Sequence, residues 1–163
     1  MVVLTEEMKA KAEIYHGDEL GQVKTKELLQ EVGLPNGLLP LENIIECGIV
    51  RETGFVWLKQ KKKIEHKFEK VGKLVSYATD VTAYVEKLKI KKLTGVKVRE
   101  LLLWITLTEI YIENPLVEKI TFKSFTGISK DLPTPAFQIE DVKQISEVKE
   151  VKEEEKVEEG AKE

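Results

Sequence analysis

Residues 101–112 read LLLWITLTEIYI, and whether this run is helix or strand decides the fold. Leu101, Leu103 and Ile105 fall on one alternating face, Leu102 and Trp104 on the other, the pattern of a strand covered on both sides. A buried helix shows a similar run, since periodicity alone does not separate the two. Trp104, Ile105, Thr106, Thr108, Ile110, Tyr111 and Ile112 favour extended backbone. The expectation is a strand at the centre of a sheet.

Neighbouring segments support a sheet. Ile64, His66 and Phe68 alternate with Glu65 and Lys67, and Val81, Ala83 and Val85 alternate with Thr82, Tyr84 and Glu86, as strands with one wet face do. Further strands are expected at 44–51, 55–59, 74–78, 88–92 and 120–125, separated by Gly54, Gly72, Gly95 and the Asn114-Pro115 pair. That even spacing predicts a mainly β chain, a β-rich α+β fold with an antiparallel barrel-like or sandwich sheet.

Residues 5–32 read as two helices. Met8, Ala12 and Tyr15 recur at helical spacing, and Leu28, Leu29 and Val32 resume it after the interruption at Gly17 to Gly21. Thr25 is the expected N-cap of the second helix and Gly33 its left-handed C-terminal residue, with Pro35 following. The loop GLPNGLLP, 33–40, has to turn while docking Leu34, Leu38 and Leu39 on the core. Three regions result: a helical segment over 1–32 packed on the core, a β-rich core domain over 33–139, and an acidic tail over 140–163.

The tail holds 10 acidic and 5 basic residues and no aromatics. Ordering it would cost about 1–2 kcal/mol per residue without contacts to offset the loss, so it is expected to be disordered and available to a protein partner. Residues 1–139 then carry a formal charge of +2 within a chain of −3, too little to specify nucleic acid. No apolar run of about 18 residues appears, so no membrane span is expected. The acidic start and the single Cys47 predict a cytoplasmic protein without disulfides.

Three ordered stretches carry a family resemblance: KELLQEVGL running into GLPNGLLP, LTGVKVRELLLWITLTEI at 93–110, and ITFKSFTGISKDLPTPAF at 120–137. Together they span most of 25–139 and closely resemble the plant domain-of-unknown-function family 538. The resemblance implies a stress-associated plant protein, with lipid or lipopolysaccharide binding and chlorophyll-related hydrolysis as suggested activities, and no residue-level mechanism. Relatives with a leader often carry a cysteine where this chain has Glu65, so the likeness is to the intracellular branch.

Catalytic machinery is thin. Only His16 and His66 offer imidazole, and His66 shares an apolar face with Ile64 and Phe68, which reads as a packed histidine. His16 beside Gly17 reads as solvated. Cys47 before Gly48 reads as a small buried hydrophobe, and Ser76, Ser124 and Ser129 lack a nucleophile-elbow context. No Cys and His spacing fits a metal, and no glycine loop fits a nucleotide, so no cofactor is expected. Lys59, Lys61, Lys62, Lys63, Lys67, Lys70 and Lys73, with Lys87, Lys89, Lys91 and Lys92, read either as a solvated strand face or as a basic stripe toward anionic headgroups. The leading functional expectation is a non-catalytic module that holds an apolar or amphipathic, lipid-like ligand among Trp57, Tyr77, Tyr84 and Trp104. The alternatives are a weak esterase or chlorophyll-related hydrolase and a protein-interaction adaptor.

Overall fold

The computed structural model describes residues 5–139; the expected disordered tail, 140–163, lies outside the described residues. Nine strands make one antiparallel sheet: β1 (Glu13–His16), β2 (Ile44–Val50), β3 (Phe55–Gln60), β4 (Ile64–Phe68), β5 (Lys73–Glu86), β6 (Lys89–Glu100), β7 (Leu103–Tyr111), β8 (Ile120–Ser124) and β9 (Ser129–Leu132). Helices α1 (Glu6–Lys11) and α2 (Asp18–Glu31) lie at the N-terminal end. The strand order is β1-β2-β3-β5-β6-β7-β8-β9, with β4 attached to β5. The terminal strands of that order do not pair, so the sheet is open and sandwich-like, and the barrel half of the expectation is corrected.

A fork in the sheet accompanies this opening. On one side of the 14-residue β5, residues 73–77 pair with β4 and residues 80–84 pair with β3. Between them the carbonyls of Tyr77 and Ala78 would lack partners on that side. Buried Gln60 supplies both: its Nε2 donates to the two carbonyl oxygens at 3.0 Å, and its Oε1 accepts from the Glu42 amide at 3.0 Å. Polar groups this deep are tolerated because each is hydrogen-bonded.

The core sits under the curled sheet. Leu29 of α2, Leu34, Leu38, Leu39 and Leu41 of the loop, and Val56, Leu58, Val75, Tyr77, Val96, Leu107, Ile120 and Phe137 belong to one buried cluster. Each such large side chain contributes about 1.5–3 kcal/mol by leaving water. The loop has the expected buried underside, and it also clamps the segment after the short helical turn at 134–137: buried Asn36 accepts from the Ile139 amide at 2.7 Å and donates to its carbonyl at 3.2 Å. Gly33, at φ 83°, ends α2 as expected. Its amide bonds the Gln30 carbonyl while that of Leu34 bonds the Leu29 carbonyl, closing the last turn.

Several expectations are corrected. Residues 5–32 are not two helices alone: Tyr15, read as helical, lies in β1, which pairs with β2 from Glu13↔Ile49 to His16↔Glu46. Ladder pairing to a distant strand overrides the local three-four spacing. Thr25 is no N-cap; it is buried inside α2 and its hydroxyl donates to the Gly21 carbonyl at 2.7 Å, while Gly17 at φ 94° precedes the helix. The expected strands 74–78 and 81–86 are one strand, and Gly95, expected to separate strands, lies within β6 at an irregular register. Finally, 101–112 is not the central strand. β7 has only β8 and β9 outside it, and Leu101 and Leu102 form the exposed β6–β7 turn.

Candidate functional site

The four aromatic residues expected to surround a ligand do not converge. Trp57 and Tyr84 flank Phe55 in a second, smaller core, with ring centroids 6.1 and 5.2 Å from it. The indole of Trp57 lies across Gly48, where a Cβ would fall 2.2 Å from the ring, and its Nε1 donates to Glu46 Oε2 at 2.8 Å. Tyr77 is buried in the main core, its hydroxyl donating to the Leu38 carbonyl at 3.0 Å. Burial without an ionic partner pushes that phenol far above its usual range. Trp104 is half-buried on the outer side of β7, under the Arg99 guanidinium at 5.3 Å.

A cavity of about 250 Å³ lies elsewhere, where the ends of β5 to β9 meet. Strand alternation builds its walls. Val75 of β5 faces Val98 of β6 across the ladder, Val98 faces Ile105 of β7, and Leu107 faces Ser124 of β8. Phe122 and Leu132 line the side toward β9, and Phe137, in the short helical turn Thr134–Phe137, closes the floor with its ring 5.1 Å from that of Phe122. Thr126 and Ile128 of the β8–β9 turn and Ser129 at the start of β9 border the cavity. None of the four aromatic residues named above lines it.

One polar cluster stands at the cavity. Lys73 Nζ lies 3.0 Å from each Glu100 carboxylate oxygen, and Lys130 Nζ lies 3.3 and 3.4 Å from the same two. Partial burial raises the carboxyl's tendency to hold a proton, but the two ammonium groups outweigh it and hold Glu100 below the usual carboxylate range. The hydrogen bond to Glu100 in turn raises Lys73 above its usual value. Two cations around one anion leave a charge of +1 beside an apolar chamber. Lys130, half exposed and on the longer contacts, is the group free to meet a further anion.

The groups weighed for catalysis are placed apart. His66 packs its ring edge-on against Phe68 at 4.6 Å, and among the described residues it has no side-chain hydrogen bond. His16 is exposed, with Nδ1 3.7 Å from Glu46 Oε1. Cys47 is buried, and burial pushes its thiol up, away from the nucleophilic thiolate. A hollow of about 40 Å³ beside Cys47 and α2 has room for water-sized occupants only. Among the described residues no group of metal-ligating side chains gathers, and no helix is long and apolar enough to cross a membrane.

Residues 25–138 match the model of a family described as Protein of unknown function, DUF538. No curated protein and no solved structure matches the chain.

Proposed function

Because the chain belongs to the DUF538 family, whose description assigns no activity, we propose from its own geometry that it is a non-catalytic binder of an anionic, single-chain amphiphile. The observation that carries this is an apolar cavity with a net cationic cluster at its edge. Val75, Val98, Ile105, Leu107, Phe122 and Phe137 would take a hydrocarbon chain, and Lys130 with Lys73 would take a carboxylate or phosphate head. Convergence of a few polar groups on an apolar pocket is the usual form of a small-molecule site. At about 250 Å³ the cavity falls just below the roughly 300–1,000 Å³ of drug-sized sites, which favours one slender chain over a two-chain lipid or a macrocycle.

The test is calorimetric titration with dodecanoate, dodecanol and dodecylamine at monomeric concentrations. Dodecanoate should bind most tightly and dodecylamine least, with a negative heat-capacity change from burial of the chain. Lys130→Gln should weaken dodecanoate about tenfold, the size of one charge-assisted hydrogen bond. Glu100→Gln, which leaves both lysines without their anion, should strengthen it. Equal affinity for all three head groups, or no heat for any of them, would remove the proposal.

A further inference from the structure

The end of the sheet that carries the cavity also carries five strongly exposed apolar side chains on adjacent hairpins, while Leu116, equally exposed, stands apart in the β7–β8 connection. Leu101, Leu102 and Leu103 are 94, 83 and 66% exposed, and Phe125 and Ile128 are 66 and 73% exposed. The two groups share one end. Glu100 pairs with Leu103 across the β6–β7 turn, while the Phe125 amide bonds the Thr106 carbonyl at 3.0 Å and so seats the β8–β9 turn beside it. Ile128 borders the cavity itself.

Neither folding nor solubility accounts for these leucines. Leu101 has φ 57°, a left-handed conformation in a two-residue turn that glycine or asparagine would adopt without strain. A polar residue would serve an exposed turn better. Cations surround the apolar tips: Lys97 and Arg99 approach on β6, Lys123 and Lys130 flank the second turn, and Lys70 stands in the β4–β5 turn at the same end. Of the carboxylates at this end, Glu100 is already engaged by two lysines and Glu69 stands beside Lys70 in the β4–β5 turn, so the cations outnumber them. A chain whose formal charge is −3 thus gathers positive charge where it exposes leucine.

We infer that these two hairpin tips are a docking surface for a bilayer containing anionic lipid. Five apolar side chains on two narrow turns make protrusions, not the broad face of roughly 800 Å² that a standard protein partner covers. Protrusions ringed by lysine and arginine match the chemistry of an acidic membrane surface. Turn backbone needs water for its free amides and carbonyls, so entry stops in the interfacial zone, about 5–10 Å deep. Trp104, next in sequence to Leu103 and stacked under Arg99, then sits at headgroup level, where an indole is well accommodated. The surface goes beyond ligand binding and stands on different residues; it sets the cavity against a lipid source.

The experiment is flotation of the full chain with vesicles of phosphatidylcholine, alone and mixed with phosphatidylserine. The protein should float with the mixed vesicles, float less with phosphatidylcholine alone, and dissociate as salt rises. Trp104 emission should shift to the blue on binding, while Trp57, already buried, contributes no change. The triple variant Leu101→Gly, Leu102→Ser, Leu103→Thr should lose about a hundredfold in partitioning with its melting temperature unchanged or raised, because it relieves the turn. Val98→Phe, which blocks the cavity, should float like the wild type, so failure of ligand binding and failure of docking are separable. Wild-type protein that stays unbound to both vesicle types overturns the inference. So does a triple variant that floats normally, or a wild-type dimer that the triple variant abolishes in the absence of vesicle binding.

Discussion

Val98→Phe separates a binding cavity from a packing defect. Val98 sits mid-wall, between Val75 and Ile105 in the ladder. Empty core volume costs about 24 cal/mol per Å³, so about 250 Å³ amounts to about 6 kcal/mol, an upper bound because the mouth is open to water. If a phenyl ring fills about a third of the space, the variant gains about 2 kcal/mol before strain, at the top of the 0.5–2 kcal/mol usual for cavity filling. For a domain of this size that corresponds to an increase in Tm of about 4–8 °C. Ligand at a hundred times its Kd should stabilise the wild type by about 2.7 kcal/mol, and it should do nothing for the variant. Differential scanning calorimetry with and without dodecanoate reads both effects. A variant that melts lower than the wild type without ligand, or that keeps the ligand-induced rise, refutes the reasoning.

Gly48→Ala places a methyl group inside the Trp57 indole; it should cost about 1–3 kcal/mol in urea denaturation and shift Trp emission to the red. Gln60→Leu strands the Tyr77 and Ala78 carbonyls at the fork of the sheet, and urea denaturation should show a loss of about 2–4 kcal/mol. Glu100 has its folded-state pKa lowered, so its stabilising contribution is fully present above the ordinary value of 4.5 and is lost as pH falls through the folded value. The stability gap between wild type and Glu100→Gln, roughly 1 kcal/mol after solvent screening, should therefore close on acidification; a gap that persists in urea titrations well below that value would contradict the ion cluster.

Alternation in the sequence exposed most of the sheet, because a strand with one wet face writes its period directly into residues such as Ile64 to Phe68. The N-terminal strand was hidden, since four residues carry too little pattern and Tyr15 fell by chance on a helical spacing. Leu101 to Leu103 misled for a different reason. Three leucines in a row read as a buried strand, and the turn there lacks the glycine or asparagine that would have marked it. The aromatic residues were a poor guide to the cavity: Trp57, Tyr77 and Tyr84 spend their rings on packing. Its true walls, Val75, Val98, Ile105 and Leu107, carry the same alternation as solid core, so no sequence signal distinguishes a chamber from filled space. Lys73, Glu100 and Lys130 meet only through strand register, 27 and 30 residues apart, which is invisible before the sheet is assembled.

A crystal structure of the chain with a terminally brominated dodecanoate tests the central claim most directly. Anomalous scattering should place bromine between Val98, Leu107 and Phe122, with the carboxylate against Lys130. Bromine beside Trp57 and Tyr84, or a chamber left without bromine at saturating ligand, would contradict it.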